Sequence, residues 1–353
     1  MNEELIKYIE SSFLKNLLLN EGITDISYNG EDLFYQTNLK GREKAESKIS
    51  NKEAYDFIRQ ISNLSDSQFS FSSPILDISV GKYRINATHL SISRKNREKA
   101  INFSIRIGYD SLRIHDDEQF ISSKCMELIS KFIRNKESII IGGITGSGKT
   151  EFQKYLLSKF DENTRLIVID NVDELDTDYF LKNIDIQTWI INQNVENINF
   201  DLLIKNALRC NPDWLIVSEA RGGEMLSLLN SSMSGHPTIS TLHAKNIEYI
   251  YSRMTRMCML KNENLKFDET MVDVCDHFRL LIYVKKIIEK DGKIKRFVSD
   301  IGTNIDTKFT PIFKYPDKYY DLPKKLIKEI IVDDYETRSF IKKWEGEKCL
   351  KEW

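Results

Sequence analysis

Proline and glycine are scarce, 6 and 15 among 353 residues, and no segment is of low complexity or repeats, so a collagen-like or Pro/Gly-rich chain is excluded. Cysteine is also sparse: Cys125, Cys210, Cys258, Cys275 and Cys349 lie far apart, and none forms a C-x-x-C pair. That spacing argues against a disulfide framework and against a zinc knuckle. No run approaches the ~18–20 continuous apolar residues of a membrane helix. The opening MNEELIKYIESSFLK reads as a charged amphipathic helix without the apolar centre of a signal peptide. An excess of one charge is missing too, with 51 basic residues against 53 acidic. A protein that mainly coats nucleic acid is therefore disfavoured, and no direct sequence-specific nucleic-acid binding is expected. The expectation is a cytoplasmic chain, or one peripheral to a membrane through partners.

What is present is an ordinary core-forming composition, 41% hydrophobic and 29% charged, in a chain long enough for two domains. Residues 2–19 carry Leu5, Ile6, Ile9, Phe13 and Leu17 at helical spacing. ITDISYNG (23–30) and LFYQT (33–37) read as strands, 52–64 as a helix, 75–93 as a hairpin around Gly81, and 101–107 as a further strand. Residues 1–107 thus read as a small α+β domain and 108–119 as a linker. The texture then changes. SIIIG, RLIVI, WLIV and TISTL are short β-branched runs mostly separated by helical patterns. The prediction for 120–353 is an α/β domain with a mainly parallel sheet, ending in a late hairpin (280–301) and a charged helical tail (323–345).

GITGSGKT (143–150) matches G-x-x-x-x-G-K-[ST], with a strand before it and a helix after it. By average residue usage such a match arises by accident in about one chain of this length in a hundred or fewer. Gly143, Gly146 and Gly148 let the backbone curl so that successive N–H groups point at phosphate oxygens, and the helix adds its positive N-terminal end. Residues expected at the nucleotide are therefore Gly143, Thr145, Gly146, Ser147, Gly148, Lys149, Thr150 and Glu151. Lys149 is expected to reach the β- and γ-phosphates of a nucleotide, and Thr150 to ligate Mg²⁺. Such a loop needs a carboxylate at a neighbouring strand end. Glu219 follows WLIVS directly, and Asp170, Asp173 and Glu174 follow RLIVI. Acids in those positions are also common as plain loop residues.

GHPTISTLHA (235–244) places His236 and His243 seven residues apart. If the run is extended they stand roughly 23 Å apart on opposite faces, so a shared metal is excluded. His243 ends a buried strand at the edge where ligands of parallel sheets collect. His236 also fits a capping or core role.

ALRCNPDWLIVSEARGGE followed by SGHPTISTLHA resembles the traffic ATPases of type II and type IV secretion, RecA-like P-loop hexamers whose motifs are a P-loop, an Asp box, a Walker B segment and a His box. EGITDISYNG, GKYRINATHL and FSIRI resemble that family's front domain. The wording leans towards the conjugation and Tad-pilus branch. The resemblance implies a homo-oligomer, a hexamer, working at the inner face of the cell membrane on membrane-embedded secretion or pilus platform proteins. It implies Glu219 as the residue that orients the attacking water and, through water, helps hold Mg²⁺. Arg84 and Arg106 are implied as arginine-finger candidates, Asp170 and Glu174 as Asp-box acids, and Arg221, His236 and His243 as residues facing the nucleotide. Two departures stand out: Asn171 replaces an Asp-box carboxylate and can neither act as a base nor carry charge, and Ser218 replaces the Gly before the Walker B Glu. The expected activity is ATP hydrolysis for conjugative transfer. A pilus-assembly ATPase, a nucleic-acid motor and a nucleotide-switched scaffold remain alternatives.

Overall fold

Alternation of apolar side chains builds both halves of the chain. The computed structural model describes residues 2–108, 112–114, 117–171, 175, 177, 181, 183–191, 198–329, 339–341 and 343–344. It divides into two units: Met1–Asp110 with Ile287–Lys295, and Ser111–Lys286 with Arg296–Trp353.

The first unit begins with α1 (Asn2–Ser11) and α2 (Lys15–Leu18) in place of one continuous helix. Ser12 makes the break, because its hydroxyl donates to the Ile9 carbonyl (2.7 Å) and accepts from the Leu14 N–H (3.2 Å), an alternative to the helical ladder. Strands β1 (Ile23–Tyr28), β2 (Leu33–Thr37) and β3 (Arg42–Lys44) precede α3 (Asn51–Leu64). Then come β4 (Ile75–Val80), β5 (Tyr83–Thr88), the short pair β6 (Arg94–Lys95) and β7 (Glu98–Lys99), and β8 (Asn102–Ile107). Among the described residues these form a six-stranded antiparallel sheet, β3-β2-β1-β8-β5-β4. In the β5–β8 ladder Ile85 opposes Ile105 in the core, while Arg84 opposes Arg106 on the other face.

The second unit runs α4 (Ser123–Arg134), β9 (Ile139–Gly143), α5 (Lys149–Leu157), β10 (Arg165–Asp170), β11 (Asp185–Ile190), α6 (Phe200–Ala207), β12 (Trp214–Val217), α7 (Glu224–Met233) and β13 (Thr238–His243). It continues through α8 (Ile250–Lys261), α9 (Phe267–His277), β14 (Leu280–Ile288), β15 (Ile294–Ile305), β16 (Lys308–Lys314), β17 (Lys318–Tyr319) and α10 (Lys324–Glu329). Among the described residues the sheet order is β11-β10-β12-β13-β9-β14-β15-β16-β17. It is parallel from β11 to β14, with antiparallel pairs from β15 to β17. The parallel part and its covering helices are the α/β architecture that strand–helix alternation predicts.

Burial explains the continuous apolar runs. Ile139 and Ile141 pack with α4, α5 and α10 on one face, and Ile140 packs with α6, α7, α8 and α9 on the other. A fully buried isoleucine contributes about 1.5–3 kcal/mol, which favours apolar residues along such a strand. The turn between β14 and β15, within the span 120–353, groups with the first unit, where the Ile294 N–H donates to the Leu39 carbonyl (2.8 Å). No described helix is long and apolar enough to cross a membrane.

Helix α3 starts in a reciprocal capping box: the Ser50 hydroxyl accepts from the Glu53 N–H, and the Glu53 carboxylate accepts from the Ser50 N–H. Ser50→Ala should lower the stability of the first unit by about 1 kcal/mol, read as a lower midpoint in urea unfolding with an unchanged slope.

Candidate functional site

Strand β9 ends at Gly143, whose sheet neighbours are His243 of β13 and Val284 of β14. The P-loop therefore leaves the sheet between these two strands, at its C-terminal edge. A Cβ on Gly143 would lie 2.5 Å from the Val284 carbonyl oxygen and 2.5 Å from Ser147 Oγ, so only glycine fits. Gly146 and Gly148 take φ values of +70° and +100°, which side-chain-bearing residues rarely adopt. Ile144, Thr145 and Gly146 are exposed at the tip, while Ser147 is buried and its Oγ lacks a hydrogen-bond partner. Helix α5 starts at Lys149, with Gly148 as its N-cap. Thr150 and Glu151 lie half-buried in its first turn, where Glu151 Oε2 is a buried acceptor without a partner. Gln153, fully buried, ties the helix to the sheet by donating to the carbonyls of Val217 (3.1 Å) and Ile239 (3.4 Å).

From the P-loop a chain of polar contacts crosses two strand ends. Lys149 Nζ lies 3.3 Å from the Ile144 carbonyl and 3.2 Å from His243 Nδ1. His243 Nε2 stands 2.9 Å from Glu219 Oε1. Arg221 grips the other carboxylate oxygen through Nε and Nη2, at 3.0 and 2.8 Å. An ammonium has only donors, so Nδ1 accepts and Nε2 carries the ring proton towards Glu219. The His243 pKa is lowered, first by burial and then by the Lys149 charge, against the opposing pull of Glu219. The ring is therefore neutral at pH 7. Its alignment with Glu219 is poor, so Oε1 remains a buried acceptor without a hydrogen-bonded donor.

Backbone contacts hold Glu219 in place. The Ser218 N–H donates to the Ile169 carbonyl (3.1 Å), the Ala220 N–H to the Thr241 carbonyl (2.8 Å), and Thr241 Oγ1 to the Ser218 carbonyl (2.8 Å). Ser218 is absent from the residues of positive φ, so its replacement of Gly brings no backbone strain. Glu224 accepts from the N–H groups of Arg221 and Gly222 and so closes the Arg-Gly-Gly turn.

Asp170 is buried at the end of β10, with Oδ1 accepting from the Asn171 N–H (2.7 Å) and Oδ2 from the Leu175 N–H (2.9 Å). Glu174 and Asp173 lie outside the described residues. Arg84 and Arg106 are register partners in the first unit, beside Asp77 (3.9 Å) and Asp25 (3.6 Å) respectively. His236 precedes β13 and pairs with Ser234 Oγ (3.3 Å), whereas His243 ends the same strand beside the P-loop. The length of the strand, about 20 Å, separates His236 from the phosphate cradle, so the structure does not bring it to the nucleotide residues of this chain. The sequence reading missed Arg296, whose Nε–H donates to the Gly146 carbonyl (2.9 Å). No motif marks it, because only the pairing of β15 beside β14 brings it there.

Comparison with known proteins settles the family. A family model described as "Type II/IV secretion system protein" matches residues 104–287, more than half of the chain. The chain belongs to this family. An uncharacterized protein of Bacillus anthracis is 26% identical to this secretion-family chain over 313 residues, covering 84% of this chain and 69% of that protein. The type IV secretion system protein VirB11 of Bartonella quintana is 28% identical over 167 residues, 46% of this chain and 43% of that relative. The match thus spans less than half the length of that relative. The X-ray structure of the Yersinia pseudotuberculosis ATPase DotB shares the fold, with a TM-score of 0.64 at 14% identity, over 84% of this chain and 80% of that one.

Two predictions follow from the geometry. Gly143→Ala should lower the melting temperature and remove nucleotide binding, measured by calorimetry and by a fluorescent nucleotide. Because the folded pKa of His243 lies below the unfolded value of 6.5, the unfolded chain binds more protons as pH falls below that value, and stability is lost there. Urea unfolding across that range should show a flatter pH dependence for His243→Gln than for the wild type.

Proposed function

We propose that the chain hydrolyses ATP to ADP and phosphate and that this turnover powers a type IV secretion apparatus, in conjugative DNA transfer. One observation carries the reading: His243 joins the P-loop lysine to the carboxylate at the end of β12 through contacts of 3.2 and 2.9 Å.

The P-loop N–H groups and Lys149 bind and orient the phosphates of ATP, so that most of the rate gain comes from positioning and electrostatics. Glu219 Oε1, buried and short of a donor, accepts from the attacking water and directs it in line with the γ-phosphate. Arg221, on Oε2, fixes the carboxylate's rotation. His243 senses whether Lys149 is engaged by phosphate, because Lys149 donates either to the ring or to the nucleotide. Hard oxygen donors fit Mg²⁺: Thr150 directly and Glu219 through water would hold it, and when bound it neutralises the charge gathering on the β- and γ-phosphate oxygens. The family resemblance supplies the arginine finger, Arg84 or Arg106, and their register pairing on one sheet face favours a joint role. The same resemblance supports a hexamer, peripheral at the inner face of the cell membrane, acting on membrane-embedded secretion proteins. Relatives named as type IV secretion system proteins favour that apparatus over a pilus motor.

Glu219→Gln should lower the rate of phosphate release by about 10²–10⁴-fold while ATP affinity changes little, and Lys149→Ala should lose nucleotide binding. Equal phosphate release by wild type and Glu219→Gln would refute the hydrolytic reading.

A further inference from the structure

The P-loop has two flanks, one against β13 and one against β14. On the β13 side stand His243 and Glu219. On the β14 side Val284 pairs with Gly143, and two residues further along the strand comes Lys286. A Cβ built on Gly146 would lie 3.8 Å from Lys286 Nζ, which puts that ammonium against the tip of the loop. The hairpin then returns through β15, and Arg296 comes back to the same edge of the sheet. Its Nε–H donates to the Gly146 carbonyl (2.9 Å), and its Cδ lies 3.5 Å from the Cβ that Gly148 would carry. Two cations from one hairpin therefore meet the two positive-φ glycines that shape the cradle.

We infer that Arg296 and Lys286 form a cationic brace on the β14 flank of the P-loop, positioning the loop for a nucleoside triphosphate and strengthening binding with the number of phosphates. The inference rests on the proposed nucleotide site. A glycine loop is entropically costly to hold in one shape. The Gly146 carbonyl is the group whose rotation would turn the neighbouring N–H away from a phosphate. A charge-assisted hydrogen bond from a planar guanidinium fixes that peptide plane. Lys286 adds a compact positive charge beside the same peptide, and phosphates with more negative charge gain more from both. Arg296 is thus a positioning residue acting through the Gly146 peptide.

The test is a binding and kinetic comparison of the full chain with Arg296→Leu, Arg296→Lys and Lys286→Met, using ADP and ATP at low and high salt. Melting temperatures check the fold of each variant. Arg296→Leu should weaken ATP binding about tenfold, with most of the loss in KM and little in kcat, and Arg296→Lys should recover part of it. Lys286→Met should weaken ATP more than ADP and make the salt dependence shallower. Unchanged affinities, or equal losses for ADP and ATP in both variants, would overturn the brace. Lys149→Ala separates the two levels. If it abolishes binding while the hairpin variants bind normally, the brace alone fails. If wild type itself binds no nucleotide, the underlying reading of the site fails.

Discussion

The contact between Lys149 and His243 is the constraint around which the second unit is arranged. An ammonium and an imidazole share one site only if the ring is neutral and turns its bare nitrogen to the lysine. Burial and the lysine charge both enforce that form, since each disfavours a second positive charge. With Nδ1 on the lysine, the opposite ring nitrogen stands 2.9 Å from Glu219 Oε1. The register of β13 against β9, with His243 opposite Gly143, brings the three groups together, so the sheet order is itself part of the site.

That order explains why the central strands of the second unit are almost wholly buried. Four parallel strands, β10, β12, β13 and β9, deliver Asp170, Glu219, His243 and the P-loop to one edge. A slip in register would turn core isoleucines away from their helices. Gln153 and Thr241 then lock the strand ends together through buried carbonyl bonds. These polar bonds contribute modestly to stability, but they fix the angle at which Glu219 and α5 face each other.

Much of this was legible in the sequence because the chemistry is local. The P-loop's shape follows from its own glycines, and Glu219 and His243 declare themselves by ending apolar runs. The break after Ser11 was hidden, since helical spacing continues through it and only the Ser12 hydroxyl bonds reveal the alternative. Asp170, expected as an Asp-box acid, ends β10 at the same sheet edge, and its described hydrogen bonds go to its own loop. His236 sits in the same motif as His243, yet strand direction carries it to the other end of the sheet. Arg296 was invisible because strand pairing across a turn, rather than any motif, brings it to Gly146.

A neutral His243 stands between the P-loop lysine and the carboxylate of Glu219. The most direct measurement is the ring ¹⁵N spectrum of His243 in protein labelled at histidine, with Lys149→Met as the comparison. At neutral pH the account predicts a neutral ring, protonated at Nε2 and accepting at Nδ1, whose Nδ1 signal moves when Lys149 is removed. A protonated imidazolium, a ring carrying its proton on Nδ1, or a signal indifferent to Lys149 would contradict it.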